Sequence, residues 1–323
     1  MTLATSLFAP VEADLRILRD NLRQLVGAQH PVLRAAAEYL FGAGGKQLRP
    51  ALVLLAGRAT VKGSDLTPRH RRLAEITEMI HTASLVHDDL IDQSDTRRGV
   101  PTVHSYFGGQ VAVLAGDFLF AQASWYLANL DNLEVVKLLS KVITDFAEGE
   151  IRQSLMAYDT SITLEDYLEK SFYKTASLMA GSLKAAGLLS DLSSPEADQL
   201  YSFGKHFGIA FQVVDDILDF TATAETLGKP TGSDLMGGTL TAPALFALRE
   251  QPELRVLIGR KLEEPGDLEA ALGFVHRSSG LERAWALATD YTRQAVEALA
   301  VLSPSPARQA LIDLTDYNLS RRY

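Results

Sequence analysis

The chain has no cysteine. A disulfide framework, a thiol nucleophile, a zinc–thiolate site and an iron–sulfur cluster are therefore all excluded. Positive charge is in deficit: 31 Lys and Arg stand against 40 Asp and Glu, for a net charge of −9. No chain-wide basic footprint exists, which argues against nucleic acid as a partner. A long apolar run is missing too. The longest uncharged stretch, Gly99 to Gly116, carries Pro101, His104, Gln110 and several glycines, whereas a membrane-spanning helix needs about 20 mostly apolar residues. The first residues, MTLATSLFAPVEADLRIL, lack a basic lead and bring in Glu12 and Asp14 early. They make a poor signal or transit peptide, so the expected location is the cytoplasm. Asn-Gly and Asp-Gly hairpin signals are absent, and alternating strand patterns are rare.

What the chain does have is helical periodicity. Its 323 residues are 47% hydrophobic and 22% charged, a globular composition with enough length for a sizeable core. Leu15, Leu18, Leu22 and Leu25 recur at helical spacing. So do Leu73, Ile76, Thr77, Ile80 and Ser84, then Leu133, Val136, Leu139 and Ile143. Prolines at 10, 31, 50, 68, 101, 195, 230, 243 and 265 punctuate these stretches. Thr163-Leu-Glu-Asp166 and Ser194-Pro195-Glu196 read as helix starts. The reading is roughly a dozen helices, several of them beyond about 20 residues and so longer than the usual 11–12. No linker or composition shift splits the chain, so residues 1–323 are expected to form one all-α domain built as a large helical bundle.

The most informative feature occurs twice. Asp88-Asp89-Leu-Ile-Asp92 closes one apolar helical stretch, and Asp215-Asp216-Ile-Leu-Asp219 closes another. Residues i and i+4 share a helix face, so Asp88 lies beside Asp92 and Asp215 beside Asp219, and like charges so placed repel. One such cluster is equally well a solvated acidic helix end. Two copies in similar contexts point to divalent-cation binding, and oxygen ligands alone suit Mg²⁺. Mg²⁺ takes one or two carboxylates and completes its shell with water and substrate phosphates. Two carboxylate clusters facing each other across a cavity would grip a diphosphate through such ions. That would reconcile an acidic chain with an anionic ligand. Basic residues accompany the clusters: Lys46 and Arg49 in a Gly44-Gly45 turn, Arg97-Arg98 just after the first cluster, Lys174 beside Thr175, and Lys229 after the second. Singly, each is more often a solvated charge than a ligand.

The set GGKQLRP, LVHDDLIDQSDTRRG, GDFLFA, FQVVDDILDFT and LGKPTGSDLMGGTLTAP resembles the trans-isoprenyl diphosphate synthases, in family order. The resemblance implies antiparallel helices around a central cavity, usually as a homodimer. It also implies 1′-4, head-to-tail condensation of isopentenyl diphosphate onto an allylic diphosphate. It assigns Asp88, Asp92 and Asp215 as Mg²⁺ ligands, with three ions when substrate is bound. Asp89, Asp216 and Asp219 become bridged or water-mediated partners. Lys46, Arg49, His81 and Arg98 would hold isopentenyl diphosphate, while Arg97, Lys174, Thr175, Gln212 and Lys229 would face the allylic substrate. The released diphosphate would be the base, so no histidine base is needed.

One departure stands out. Where many relatives carry Gly-Lys-x-Thr, this chain has Gly238-Thr239-Leu240-Thr241, which puts one phosphate contact in doubt. The neutral form is similar to that of solanesyl diphosphate synthases of the photosynthetic type. Ala83 and Ser84, one helical turn before Asp88, sit where shorter-chain relatives often place a bulky aromatic floor. With Ile80 a turn deeper, they are expected to leave a hydrocarbon tunnel open and the product long, solanesyl first, with geranylgeranyl, octaprenyl or decaprenyl as alternatives. A lipophilic product implies peripheral membrane contact at most. Three rivals remain open at this point. An HD-type phosphohydrolase would not need the second cluster. A terpene cyclase usually has a different second metal motif. A regulatory subunit of a heteromeric synthase tends to lose catalytic aspartates.

Overall fold

The computed structural model describes residues 7–25, 27–42, 47–61, 63, 65–97, 99–222 and 230–321. They are overwhelmingly α-helical, as the periodicity predicts. The helices that matter below are α1 (Glu12–Leu25), α2 (Pro31–Gly42), α3 (Leu48–Thr60), α4 (Pro68–Ile91), α5 (Val103–Phe107), α6 (Gly109–Ala128), α7 (Leu133–Leu155), α8 (Leu164–Ser171), α9 (Ser177–Leu189) and α10 (Ser194–Thr221). Beyond α10 the described helices are mostly short, ending in Gly280–Ala298 and Pro306–Ser320. Short one- and two-turn helices account for the surplus over a dozen, because segments of so few residues carry almost no periodic signal.

The chain forms two compact units. The first comprises Met1–Ile143, Leu178–Tyr201 and Leu299–Asp313. Its core holds the stripe Leu73, Ile76, Thr77 and Ile80 of α4, all fully buried, and Leu15, Leu18 and Leu22 of α1. Thr77 satisfies its hydroxyl on Leu73 O and Ser182 Oγ. Helices α4 and α6 pack along each other, so closely that a Cβ on Gly116 would lie 2.2 Å from His87 Nε2. The second unit comprises Thr144–Ser177, Ser202–Ala298 and Leu314–Tyr323. Its core gathers Tyr167, Val213, Val214, Ile217, Phe220, Leu235 and Leu240.

Helix starts follow the local chemistry. Thr163 and Asp166 form a reciprocal capping box, which satisfies two backbone donors. Ser193 and Glu196 close the start of α10 in a similar way. Thr67 caps α4 ahead of Pro68.

Three expectations need correction. The buried stripe of α7 is Val135, Leu139 and Val142, while Leu133 is 67% exposed. That helix is apolar on more than one side, so spacing alone selected the wrong stripe. A two-residue antiparallel ladder pairs Thr96–Arg97 (β1) with Val100–Pro101 (β2), and Gly99 supplies the turn at φ +78°. A Gly in this position makes an Asn-Gly signal unnecessary. Finally, α6 is long and apolar enough to cross a membrane, because it runs straight through the lone charge Asp117. Val113, Leu114 and Trp125 on it are exposed.

Candidate active site

The first aspartate cluster ends α4. Asp92 is the C-terminal cap, and its N–H donates to Asp88 O at 2.8 Å. The second cluster closes α10. Neither helix has a basic residue in its last turn. Negative charge at a helix C-terminus opposes the macrodipole, and the i, i+4 pairs repel each other besides. Both arrangements cost helix stability, a cost that bound cations would offset.

Within each cluster the carboxylates have different surroundings. Asp89 is buried and receives Arg97 through Nε at 2.7 Å and Nη2 at 2.6 Å. Asp88 is half-buried and Asp92 exposed. Seven residues before Asp88, His81 Nε2 lies 3.0 Å from Arg49 Nη1. A guanidinium only donates, so Nε2 accepts and the neutral ring carries its proton on Nδ1. Gln47, His81, Asp89 and Arg97 share the wall of a cavity of about 140 Å³ with Tyr39 and Leu85. Ile80 and Ala83 are fully buried. Ser84 is half-buried and donates its hydroxyl to His81 O at 2.9 Å.

In the second cluster Asp215 is the accessible carboxylate, with its side chain 41% exposed and Arg321 Nη2 at 2.8 Å. Asp216 is buried and accepts from Tyr167 Oη at 2.5 Å and Gln212 Nε2 at 2.8 Å. Gln212 in turn accepts from Thr175 Oγ1 at 2.6 Å. Burial pushes the Asp216 carboxyl up to about 7, against the Lys170 ammonium, which favours ionisation. Asp219 is buried and accepts from Ser233 Oγ at 2.9 Å and the Asp234 N–H at 3.2 Å. Asp216 and Asp219 thus fix the local frame and leave Asp215 facing out.

Lys174 and Thr175 lie in a π-helical turn, Phe172–Ala176, between α8 and α9. Such wide turns concentrate at functional sites. Lys174 Nζ reaches Glu150 Oε2 at 2.7 Å and Gln153 Oε1 at 3.2 Å. Gly149 makes room for the turn, since a Cβ there would come within 2.9 Å of Tyr173 Cβ and 3.0 Å of Lys174 Cγ. Sequence reasoning missed Tyr167, Lys170, Glu150, Gln153 and Arg321. Tyr167 and Lys170 precede Lys174 by seven and four residues, a shared-face spacing that was available as a signal. Arg321 carried none.

Lys46, Arg98 and Lys229 lie outside the described residues. Of the other predicted site residues, the first unit brings together Arg49 and His81, and separately Asp89 and Arg97. The second links Thr175, Gln212 and Asp216 in one chain of hydrogen bonds. Among the described residues no three metal-type side chains converge on one point. The donors at the two helix ends are carboxylates, oxygen ligands of the kind that suit Mg²⁺.

Residues 30–275 match the polyprenyl synthetase family model. A prenyl transferase of Synechocystis is 62% identical over 99% of both chains. The chloroplastic solanesyl diphosphate synthase 1 of Arabidopsis thaliana is 55% identical over 98% of this chain and 79% of that one. The polyprenyl synthase of Caulobacter crescentus, solved with calcium and isoprenyl diphosphate, superposes with a TM-score of 0.91 at 33% identity, covering 99% of this chain and 98% of that one. Paired acidic helix ends, the cationic and hydrogen-bonded side chains around them, and full-length similarity agree: the chain is a prenyltransferase of the polyprenyl synthetase family.

Proposed function

We propose that the chain condenses isopentenyl diphosphate head-to-tail with an allylic diphosphate, building a long all-trans polyprenyl diphosphate. Solanesyl diphosphate, destined for prenylquinone side chains, is the assigned product. The observation that carries this reading is the repeated aspartate motif at two helix C-termini, each with an accessible carboxylate: Asp88 with Asp92, and Asp215. Similarity to the plant solanesyl enzyme supports the long product.

Asp88, Asp92 and Asp215 would hold the Mg²⁺ ions, three with substrate bound. When bound, the ions neutralise charge developing on the leaving diphosphate. Lys174 and Lys229 add positive charge toward the same group, with Arg97 also on the allylic side. Breaking the allylic C–O bond sends its electron pair to the diphosphate. The double bond of isopentenyl diphosphate then supplies the pair for the new C–C bond, and a proton is lost to the released diphosphate. Thr175 Oγ1 and Gln212 offer polar oxygens to the allylic cation. Lys46, Arg49, His81 and Arg98 would bind isopentenyl diphosphate, with the His81 ring held neutral as the acceptor of the Arg49 Nη1 donor. Asp89, Asp216 and Asp219 keep the metal-binding carboxylates in place.

Residues 1–323 are read as one catalytic domain working in the cytoplasm, as a homodimer. Support for the dimer comes from α6, on which the large apolar side chains Val113, Leu114 and Trp125 are exposed and available to a second copy. Two substitutions test the reading: Asp88→Ala and Asp215→Ala, assayed with Mg²⁺, labelled isopentenyl diphosphate and short allylic primers. Each should cut turnover at least about 10²-fold, on the scale of other lost transition-state electrostatics, while the fold survives. EDTA should abolish wild-type activity and Mg²⁺ restore it. Near-wild-type turnover in either variant refutes the metal assignment.

A further inference from the structure

Lys170 has no role in the scheme above, yet it is the most unusual cation among the described residues. It sits in the last turn of α8 with only 8% of its surface exposed. Burying an ammonium costs several kcal/mol unless it is paired. Among the described residues the Lys170 ammonium makes no hydrogen bond and no ion pair. Its described partners are the Tyr167 ring, 5.4 Å from Nζ, and the fields of Asp216, Asp234 and Glu150, with the like charge of Lys174 acting against them. Burial lowers its proton affinity, and these carboxylates oppose that loss.

Lys170 borders a small cleft with Gln153, Met156, Ile162, Tyr167, Thr239 and Leu240. The cleft offers about 10 Å³, room for about one water-sized group. That suits a single phosphoryl oxygen and nothing larger. Gln153 also receives Lys174 Nζ, so the cleft adjoins the cation already assigned to the allylic substrate. Thr239 stands in the same wall, neutral where the resemblance leads one to expect lysine.

We propose that Lys170 binds a terminal phosphoryl oxygen of the allylic diphosphate in this cleft. It supplies, from α8, the positive charge that position 239 does not. The proposal rests on the reading under Proposed function and adds a substrate contact to it. The competing role is a structural counter-ion for Asp216. A counter-ion would support folding but leave no preference between the two substrates.

The test compares wild type, Lys170→Met and the double variant Lys170→Met with Thr239→Lys. Calorimetry with Mg²⁺ measures binding of an unreactive allylic thiolodiphosphate and, separately, of isopentenyl diphosphate. Lys170→Met should weaken the thiolodiphosphate roughly 10- to 100-fold, as expected for one charge-assisted contact, and leave isopentenyl diphosphate within about twofold. Thr239→Lys should restore most of the loss. An unchanged thiolodiphosphate affinity, or an equal loss for both ligands, overturns the proposal. So does failure of Thr239→Lys to restore binding. If Lys170→Met does not fold, Lys170→Gln is read by the same two affinities, and failure of that variant to fold also counts against a binding role. Wild-type turnover of isopentenyl diphosphate with an allylic primer is measured first. Its absence sinks the functional reading itself, whereas its presence leaves that reading standing whatever Lys170 does.

Discussion

Gly116→Ala sets two effects against each other. In a helix interior, alanine is favoured over glycine by up to about 1 kcal/mol. Here the new Cβ would lie 2.2 Å from His87 Nε2, 2.5 Å from Cδ2 and 2.9 Å from Cε1. The ring must retreat by more than about 1 Å to regain a contact of roughly 3.5 Å. It cannot do so without giving up its hydrogen bond to Val113 O, now 3.1 Å, and its packing on Phe120. Overpacking costs about 1–3 kcal/mol and the lost bond about another 1. The net expectation is destabilisation by roughly 1–3 kcal/mol, seen as a lower apparent Tm. His87 also precedes Asp88 directly, so the strain bears on the turn that presents Asp88 and Asp92. A shift of about 1 Å in a catalytic group can cost 10²-fold in rate, so kcat should fall further than the stability loss alone explains. Differential scanning fluorimetry and steady-state kinetics measure both. Adding His87→Ala to Gly116→Ala removes the clash and should recover Tm and part of kcat. A single variant with wild-type Tm and rate, or a double variant worse than either single one, would refute the argument.

Arg49→Ala removes a cation and the donor that keeps His81 neutral. KM for isopentenyl diphosphate should rise roughly 10- to 100-fold, with a smaller change for the allylic primer; the reverse order would mean that the two sites have been exchanged. Ala83→Phe places a ring one turn before Asp88, and chromatography of dephosphorylated products should show a shift to farnesyl or geranylgeranyl length with the first condensation intact. A wild type that itself stops at geranylgeranyl would place the floor elsewhere. His70 is fully buried between Thr67, Ala186 and Ser190, and burial holds its pKa below the ordinary 6.5. The unfolded chain therefore takes up a proton first. Stability is complete above pH 6.5 and is lost as pH falls from there through the folded-state pKa. His70→Gln should flatten the decline of Tm between pH 7 and 5, and an unchanged slope would exclude His70 as its source.

The helices and both aspartate motifs were legible in the sequence because each depends on spacing within one segment. Leu73 through Ile80 lie where periodicity puts them, and a helix starts at Thr163 as read. The face of α7 was not legible, since which of two apolar sides is covered depends on its neighbours. The division of labour among the aspartates was hidden for a similar reason. Asp216 is held by Tyr167, 49 positions away, and Asp89 by Arg97, 8 positions on and past the end of its helix. Gly116 read as part of a motif, but its steric role exists only against His87 on another helix.

The π turn at Phe172–Ala176 has a consequence for the evolution of this chain. A π turn holds one residue more than an α turn, so a single deletion there would yield a smoother, better hydrogen-bonded helix. It would also remove the bulge on which Lys174 and Thr175 sit and so change the direction in which those two side chains point. Selection for robustness alone would thus tend to erase the irregularity, and length variants of this segment should be stable but inactive. The extra residue marks where function has been kept at the expense of regularity.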